Sequence, residues 1–166
     1  MSRLDSAIRR LQAQRACLDA AIEATRDLPG PILELGLGNG RTYDHLRSLS
    51  PGREIFVFDR QVAAHPDSLP DAAHLLLGEL QETLPHAASR FGATVALLHA
   101  DLGSGNAERD AATTGFVAGW LPRLLRPGGV VVGDQDLRFA GAEPLPLPQG
   151  VEPGRYFLYR AAVQLS

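Results

Sequence analysis

The run Ile32-Leu33-Glu34-Leu35-Gly36-Leu37-Gly38-Asn39-Gly40-Arg41-Thr42 has the form of a short buried strand that feeds a helix through three glycines spaced two apart. Glycine accepts φ > 0 and has no Cβ, so such a run makes a tight turn whose bare backbone can approach a ligand closely. The helical pattern from Arg41 to Ser48 starts at once. The unpaired N–H groups of a helix N-terminus then face the same point.

Working outward, strand and helix patterns alternate. After the Pro51-Gly52 turn, Glu54-Ile55-Phe56-Val57-Phe58 reads as a second strand closed by Asp59. His74 to Leu77 reads as a third, ending at Gly78-Glu79, with a helix around Thr83 to Phe91. Thr94 to His99 is a fourth. Ala107 to Leu125 reads as a helix weakened by Gly115, Gly119 and Pro122, and after Arg126-Pro127-Gly128-Gly129 comes a fifth strand, Val130 to Gly133. Apolar runs without alternation are strands covered on both faces, which predicts a mostly parallel, doubly wound α/β sheet of six to seven strands. Pro144, Pro146, Pro148 and Pro153 forbid a regular helix or a central strand where a crossover helix would lie. The alternating segment Arg155 to Val163 reads as an edge strand. Ahead of the core, Leu4, Ile8, Leu11, Leu18 and Ile22 recur at helical spacing between residues 3 and 26, until Pro29-Gly30-Pro31. That predicts one long amphipathic helix, packed on the core or serving as a lid or dimer contact.

The chain has 166 residues, which at about 150 residues per domain predicts a single one. It divides into the N-terminal helix (1–28), a binding core (31–136) and a proline-rich segment with its strand (137–166). Apolar residues make up 45% and charged residues 21%, globular values that argue against disorder. With 16 basic and 19 acidic side chains the formal charge is −3, which predicts no nucleic-acid partner, because no net positive field holds a phosphate backbone. The lone Cys17 reads as a buried apolar residue. No signal-peptide pattern and no apolar run of membrane-spanning length is present, so a cytoplasmic location is expected. The motifs of α/β hydrolases, P-loop nucleotidases and zinc proteases are absent from the sequence.

Open parallel sheets bind ligands beyond the carboxyl ends of their strands. A dinucleotide fingerprint needs glycine at its first, third and sixth positions, and the sixth here is Arg41. The ordered set E-L-G-L-G-N-G-R-T, F-V-F-D-R, L-L-G-E-L, L-L-H-A-D and L-L-R-P-G-G-V-V-V-G-D instead resembles a class I methyltransferase dependent on S-adenosyl-L-methionine, over residues 31 to 136. The resemblance implies a Rossmann-like fold and that cofactor. It implies that Gly36, Leu37, Gly38, Asn39, Gly40 and Thr42 lie against the cofactor's amino-acid tail and ribose, and that Glu34 receives the tail ammonium directly or through water. Asp59 takes the ribose hydroxyls, with Arg60 beside it, and Glu79, between Gly78 and Leu80, meets the adenine amine. His99 also faces the cofactor in this scheme. Asp101 or His99 accepts a proton from the substrate as it attacks.

Asp101, Asp134 and Asp136 invite comparison with magnesium-holding methyltransferases, but Gln135 and His99 break that pattern, and no metal is expected. The expected acceptor is a small molecule, enclosed around Tyr43, Asp101 and Trp120 by the N-terminal helix, a partner subunit in a homo-oligomer, or both. Two other readings stay open: a catalytically silent module binding the same sulfur compound, and an NADP-dependent reductase suggested by Arg60.

Overall fold

The computed structural model describes residues 2–163, so Met1 and the last three positions of the proline-rich segment, 164–166, lie outside it. The elements are α1 (Arg3–Ala24), β1 (Ile32–Leu35), α2 (Arg41–Leu49), β2 (Ile55–Asp59), β3 (Leu75–Leu77), α3 (Leu80–Phe91), β4 (Val95–Ala100), α4 (Ala107–Leu124), β5 (Leu125–Gly133), β6 (Ala142–Pro144) and β7 (Phe157–Ala161). They build one seven-stranded sheet in the order β3-β2-β1-β4-β5-β7-β6. The first five strands are parallel, and β7 runs antiparallel to both β5 and β6. Chain order reverses between β1 and β4, so a crevice opens above those two strand ends.

The strand period of two assigns the faces. Leu33, Leu35, Leu98 and Val131 pack under α3 and α4 with Leu84, Phe91, Val117 and Leu121. Ile32, Leu97, Val130 and Val132 pack under α1 and α2 with Cys17, Leu18, Ala21 and Leu46. Glu34 and His99 each lie two residues beyond a member of the second set, so both fall on the α1/α2 face. The parallel register sets them directly side by side.

Three expectations need correction. Arg155 to Val163 does supply a strand, but it is interior: β7 lies between β5 and β6, and the edge is β6, drawn from the proline-rich segment with Pro144 in it. An edge strand is where a residue without an N–H donor costs least. The fifth strand begins at Leu125, since Val95 pairs Leu125 while Leu97 pairs Val130, and the intervening residues form the irregularity. The predicted apolar stripe of α1 is buried only in its second half. Leu18 and Ala21 are buried together with Ala13, Gln14 and Cys17, whereas Leu4, Ile8 and Leu11 remain 68%, 44% and 38% exposed.

Local chemistry explains the bounds of α1. Ser2 and Asp5 form a reciprocal capping box at its start. At its end the Arg53 guanidinium donates to the carbonyls of Thr25, Arg26 and Leu28 at 3.1, 3.2 and 2.8 Å, supplying donors the helix lacks there. His45 Nε2 meets Asp19 Oδ1 at 2.7 Å and ties α2 to α1. The second half of α1 is therefore the buried, anchored part, and the first half is tied down only by the exposed Arg9–Glu152 pair among the described residues. Leu18→Ala should cost about 2–5 kcal/mol in urea unfolding, whereas Leu4→Ser should change stability by less than about 0.5 kcal/mol; equal losses would contradict this placement.

Candidate active site

The glycine loop after β1 is held open from both sides. Gly36 has φ +89°, and a Cβ there would come within 2.8 Å of the Asp101 carbonyl oxygen. Gly38 also has positive φ, +52°, but a Cβ on it would meet no protein atom within 4 Å. The first glycine is thus required by packing, and the second leaves space beside the backbone. Asp59, at the tip of β2, accepts N–H groups of Leu37 and Gly38 on Oδ2 at 2.8 and 3.1 Å. Its Oδ1 accepts from Arg60 at 2.6 Å and, at longer range, from Gln61 at 3.3 Å. One carboxylate therefore fixes the elbow at the point where the neighbouring strand ends.

A cavity of about 630 Å³ lies above these tips. Gly36, Leu37, Gly38, Asn39 and Thr42 form one wall, and Asp59, Arg60, Gly78, Glu79 and Leu80 another. Asp101 and the loop after it make the third side, and Arg10, Leu11 and Gln14 of α1 cover the top. The structure thus brings together most of the residues predicted for the site. Gly40, Glu34 and His99 are not in the wall; Gly40 has φ +84°, and a Cβ there would meet the backbone and side chain of Ser68. Of the three residues expected to enclose the substrate, only Asp101 faces the cavity: Tyr43 packs in the α1/α2 layer, and Trp120 sits edge-on to Phe116 beside the other.

Glu34 and His99 are fully buried and face each other, His99 Nδ1 lying 2.7 Å from Glu34 Oε2. The second Glu34 oxygen accepts the Thr42 hydroxyl. With both oxygens taken and no exposure, Glu34 has no direct approach to a ligand in the cavity. His99 is likewise too deep to touch a substrate. Its Nε2 is 2.9 Å from the hydroxyl of Tyr156, which also receives Gln14 Nε2 at 2.9 Å. The other Gln14 amide hydrogen goes to Asp101 Oδ2 at 2.9 Å. A continuous polar chain therefore runs under the cavity: Thr42, Glu34, His99, Tyr156, Gln14, Asp101.

Protons can be followed along this chain. Gln14 must donate to the Asp101 carboxylate, which fixes its amide orientation, and its remaining hydrogen goes to Tyr156. With His99 neutral, Nδ1–H donates to Glu34 and the Tyr156 hydroxyl donates to Nε2, so each hydrogen has one acceptor. Burial works against charging His99, but the charge of Glu34, its hydrogen bond, and the more distant Asp101 and Asp134 outweigh it and raise the pKa above 6.5. Burial pushes the Tyr156 phenol up in turn, so it stays protonated.

The acids after β5 serve other ends. Asp134 accepts Leu102 N and Gly103 N at 3.0 and 2.9 Å and braces the loop following Asp101. Asp136 accepts the Tyr159 hydroxyl at 2.6 Å. Asp110 fixes the same loop through Ser104 N and Oγ at 2.9 and 2.6 Å, bonds that hold its carboxyl below the usual range. Among the described residues no cluster of three or more His, Cys, Asp or Glu side chains is placed to hold a metal, and none of their helices is long and apolar enough to cross a membrane. Gln14, Tyr156, Ser104 and Arg109 were not anticipated. Gln14 did carry a signal, as the single polar residue among Ala13, Cys17, Leu18 and Ala21.

A glycine elbow and a carboxylate at adjacent parallel strand tips are the hallmarks of an α/β cofactor-binding enzyme. Comparison with known proteins defines the class further. A family model described as S-adenosyl-L-methionine methyltransferase matches residues 1–161. The chain belongs to that family, and S-adenosyl-L-methionine is its cofactor. A crystal structure of an S-adenosyl-L-methionine methyl transferase from Silicibacter pomeroyi DSS-3 is 51% identical, with TM-score 0.92, covering 98% of this chain and 99% of that one. An RNA methyltransferase from Salinibacter ruber, solved with S-adenosyl-L-homocysteine, shares 16% identity at TM-score 0.52, over 90% of this chain and 92% of its own. The antibiotic-resistance methyltransferase Kmr shares 15% at TM-score 0.54, over 89% and 92%. None of the curated proteins matches this chain.

These neighbours overturn one expectation. A small-molecule acceptor with nucleic acid excluded does not stand, because the same fold carries an RNA methyltransferase. The physical fault is that a formal charge of −3 sums the whole chain and says nothing of the field at one cavity.

The buried pair yields a pH test. A histidine whose folded pKa is raised contributes stability that is complete below its unfolded value near 6.5 and is lost as pH rises through the folded value. In urea titrations at several pH values, the advantage of the wild type over His99→Gln should therefore shrink as pH increases. A difference independent of pH would show that His99 does not titrate in this range. Removing the partner altogether, as in His99→Leu, should cost about 3–5 kcal/mol by leaving Glu34 as an uncompensated buried charge.

Proposed function

We propose that this chain, acting as one domain, transfers a methyl group by in-line displacement to a nucleophile held beside Asp101. The supporting observation is that the open backbone at Gly38, the Asp59 carboxylate and Asp101 face one cavity from three sides. The residues fit the cofactor: space remains where a Cβ on Gly38 would stand, and carboxylates lie where hydroxyl and amine hydrogens need acceptors. When bound, S-adenosyl-L-methionine supplies a methyl group on a positively charged sulfur, a leaving group good enough that the carbon–sulfur bond breaks as the acceptor–carbon bond forms.

The protein's task is then alignment rather than activation. In this reading Gly36, Leu37, Gly38 and Asn39 hold the cofactor's tail and ribose against backbone, with Thr42 at the start of α2. Asp59 accepts the ribose hydroxyls in place of some of its present amide bonds, beside Arg60. Glu79 accepts from the adenine amine, with Gly78 and Leu80 lining that end. Asp101 accepts the acceptor's proton, since it is the carboxylate on the far wall and is held in place by Gln14. Glu34 and His99 are positioning residues. They fix Thr42 on one side and, through Tyr156 and Gln14, Asp101 on the other.

Titration calorimetry with S-adenosyl-L-homocysteine tests the assignment. Asp59→Ala should weaken binding by about 1–3 kcal/mol, the cost of hydroxyls left unpaired in a buried site. Gly38→Ala should cost about 1–2 kcal/mol of stability through its left-handed backbone, yet fold, and should lose affinity because the added methyl occupies the ligand's space. Wild-type affinity in both variants would remove the cofactor from this cavity.

A further inference from the structure

The arginines at the cavity have no role in the reading above beyond Arg60. The chain contains no lysine, so all 16 of its basic side chains are guanidinium groups. Arg10, Arg41, Arg60 and Arg109 reach the cavity from four different elements or loops, and all four are exposed. Among the described residues, arginine ion pairs are made by Arg9, Arg26 and Arg47 instead. The guanidinium hydrogen bonds belong to Arg26, Arg47, Arg53, Arg126 and Arg138.

Two of the four arginines stand on the helices that hold Asp101 and the loop after it. Arg10 precedes Gln14 by four residues, so it lies one turn along the same face of α1 from the side chain that holds Asp101. Arg109 stands in the first turn of α4, next to Asp110, which fixes the loop leading away from Asp101. The acids Asp59 and Glu79 are on the opposite, cofactor side. A second groove of about 420 Å³ shares Leu11, Gln14, Arg41 and Thr42 with the cavity and is also lined by Ile8, Arg15 and Leu18. A single anionic group would need only one arginine, whereas several guanidiniums without ion pairs among the described residues, spread around the cavity and the adjoining groove, suit an extended polyanion. The planar guanidinium fork matches phosphate oxygens bidentately.

We propose that the methyl acceptor is a nucleic-acid strand. Its target nucleotide enters the cavity at Asp101, and its flanking phosphates lie on Arg10 and Arg109. The target atom must leave the stack to reach a walled site, and an unpaired strand allows that without the cost of extruding a nucleotide from a duplex. This inference rests on the methyl-transfer reading and adds the substrate class. The acceptor's proton goes to Asp101 as the new bond to the methyl carbon forms.

The test is fluorescence anisotropy of labelled random-sequence RNA and DNA of about twelve nucleotides, with the protein saturated with S-adenosyl-L-homocysteine at about 50 mM salt. At least one strand should bind, and the stronger of the two identifies the sugar. Arg10→Glu and Arg109→Glu should each weaken that binding by about fivefold or more, a larger loss than either variant shows for S-adenosyl-L-homocysteine. Raising salt to about 200 mM should weaken wild-type binding about sevenfold, as expected for two phosphates on a single strand. If neither strand binds, or both variants bind like the wild type, the proposal is overturned and the methyl-transfer reading survives. Failure of the wild type to bind S-adenosyl-L-homocysteine overturns both.

Discussion

A carboxylate and an imidazole with no exposure to water, 2.7 Å apart on adjacent strands, hold the two halves of this site in register. The Glu34 carboxylate in particular would be costly to bury as a charge without a partner, and His99 supplies one. Their outer atoms then determine what surrounds them. Glu34 grips Thr42 and so sets the first turn of α2 behind the glycine loop. His99 meets Tyr156, which meets Gln14, which meets Asp101. The wall carrying the loop and the wall carrying the candidate base are in this way parts of one hydrogen-bonded chain.

The same chain explains the unusual packing of α1. An isolated first helix ahead of a parallel sheet has only its apolar stripe to dock with, and half of that stripe, Leu4, Ile8 and Leu11, is left in solvent. The second half is held by small residues fitted to the sheet and by the buried Gln14. That arrangement leaves Arg10 and Leu11 over the cavity while the helix is anchored behind them. The α1 helix thus roofs the site and remains attached to it by a polar side chain as well as by apolar contact.

The architecture was largely readable from the chain because parallel strands and their glycine turns are local patterns. Ile32 to Leu35, Glu54 to Asp59 and Thr94 to His99 announce themselves within a few residues, and the loop Gly36 to Gly40 with Asp59 lies where those patterns place it. What escaped the sequence is non-local. Glu34 pairs a histidine 65 residues away, His99 a tyrosine 57 residues away, and Asp101 a glutamine 87 residues away. A residue pattern shows the types of these groups and not their partners, which is why Glu34 and His99 read as ligand contacts, whereas the structure places them beneath the cavity, paired with each other. The interior place of β7 was hidden for a related reason: the outermost strand is made from proline-bearing sequence that carries no strand signal of its own. Net charge misled about partners because it averages over positions that the fold separates.

The account depends on a cofactor lying against bare backbone between the glycine elbow and the tip of β2. A crystal structure of the chain grown with S-adenosyl-L-homocysteine tests this most directly. The account predicts the ligand in the cavity, its ribose against Gly38 and within hydrogen-bond reach of Asp59, its sulfur facing Asp101, with the Glu34–His99 pair unbroken beneath it. A ligand bound elsewhere, or one whose ammonium displaces His99 from Glu34, would contradict it.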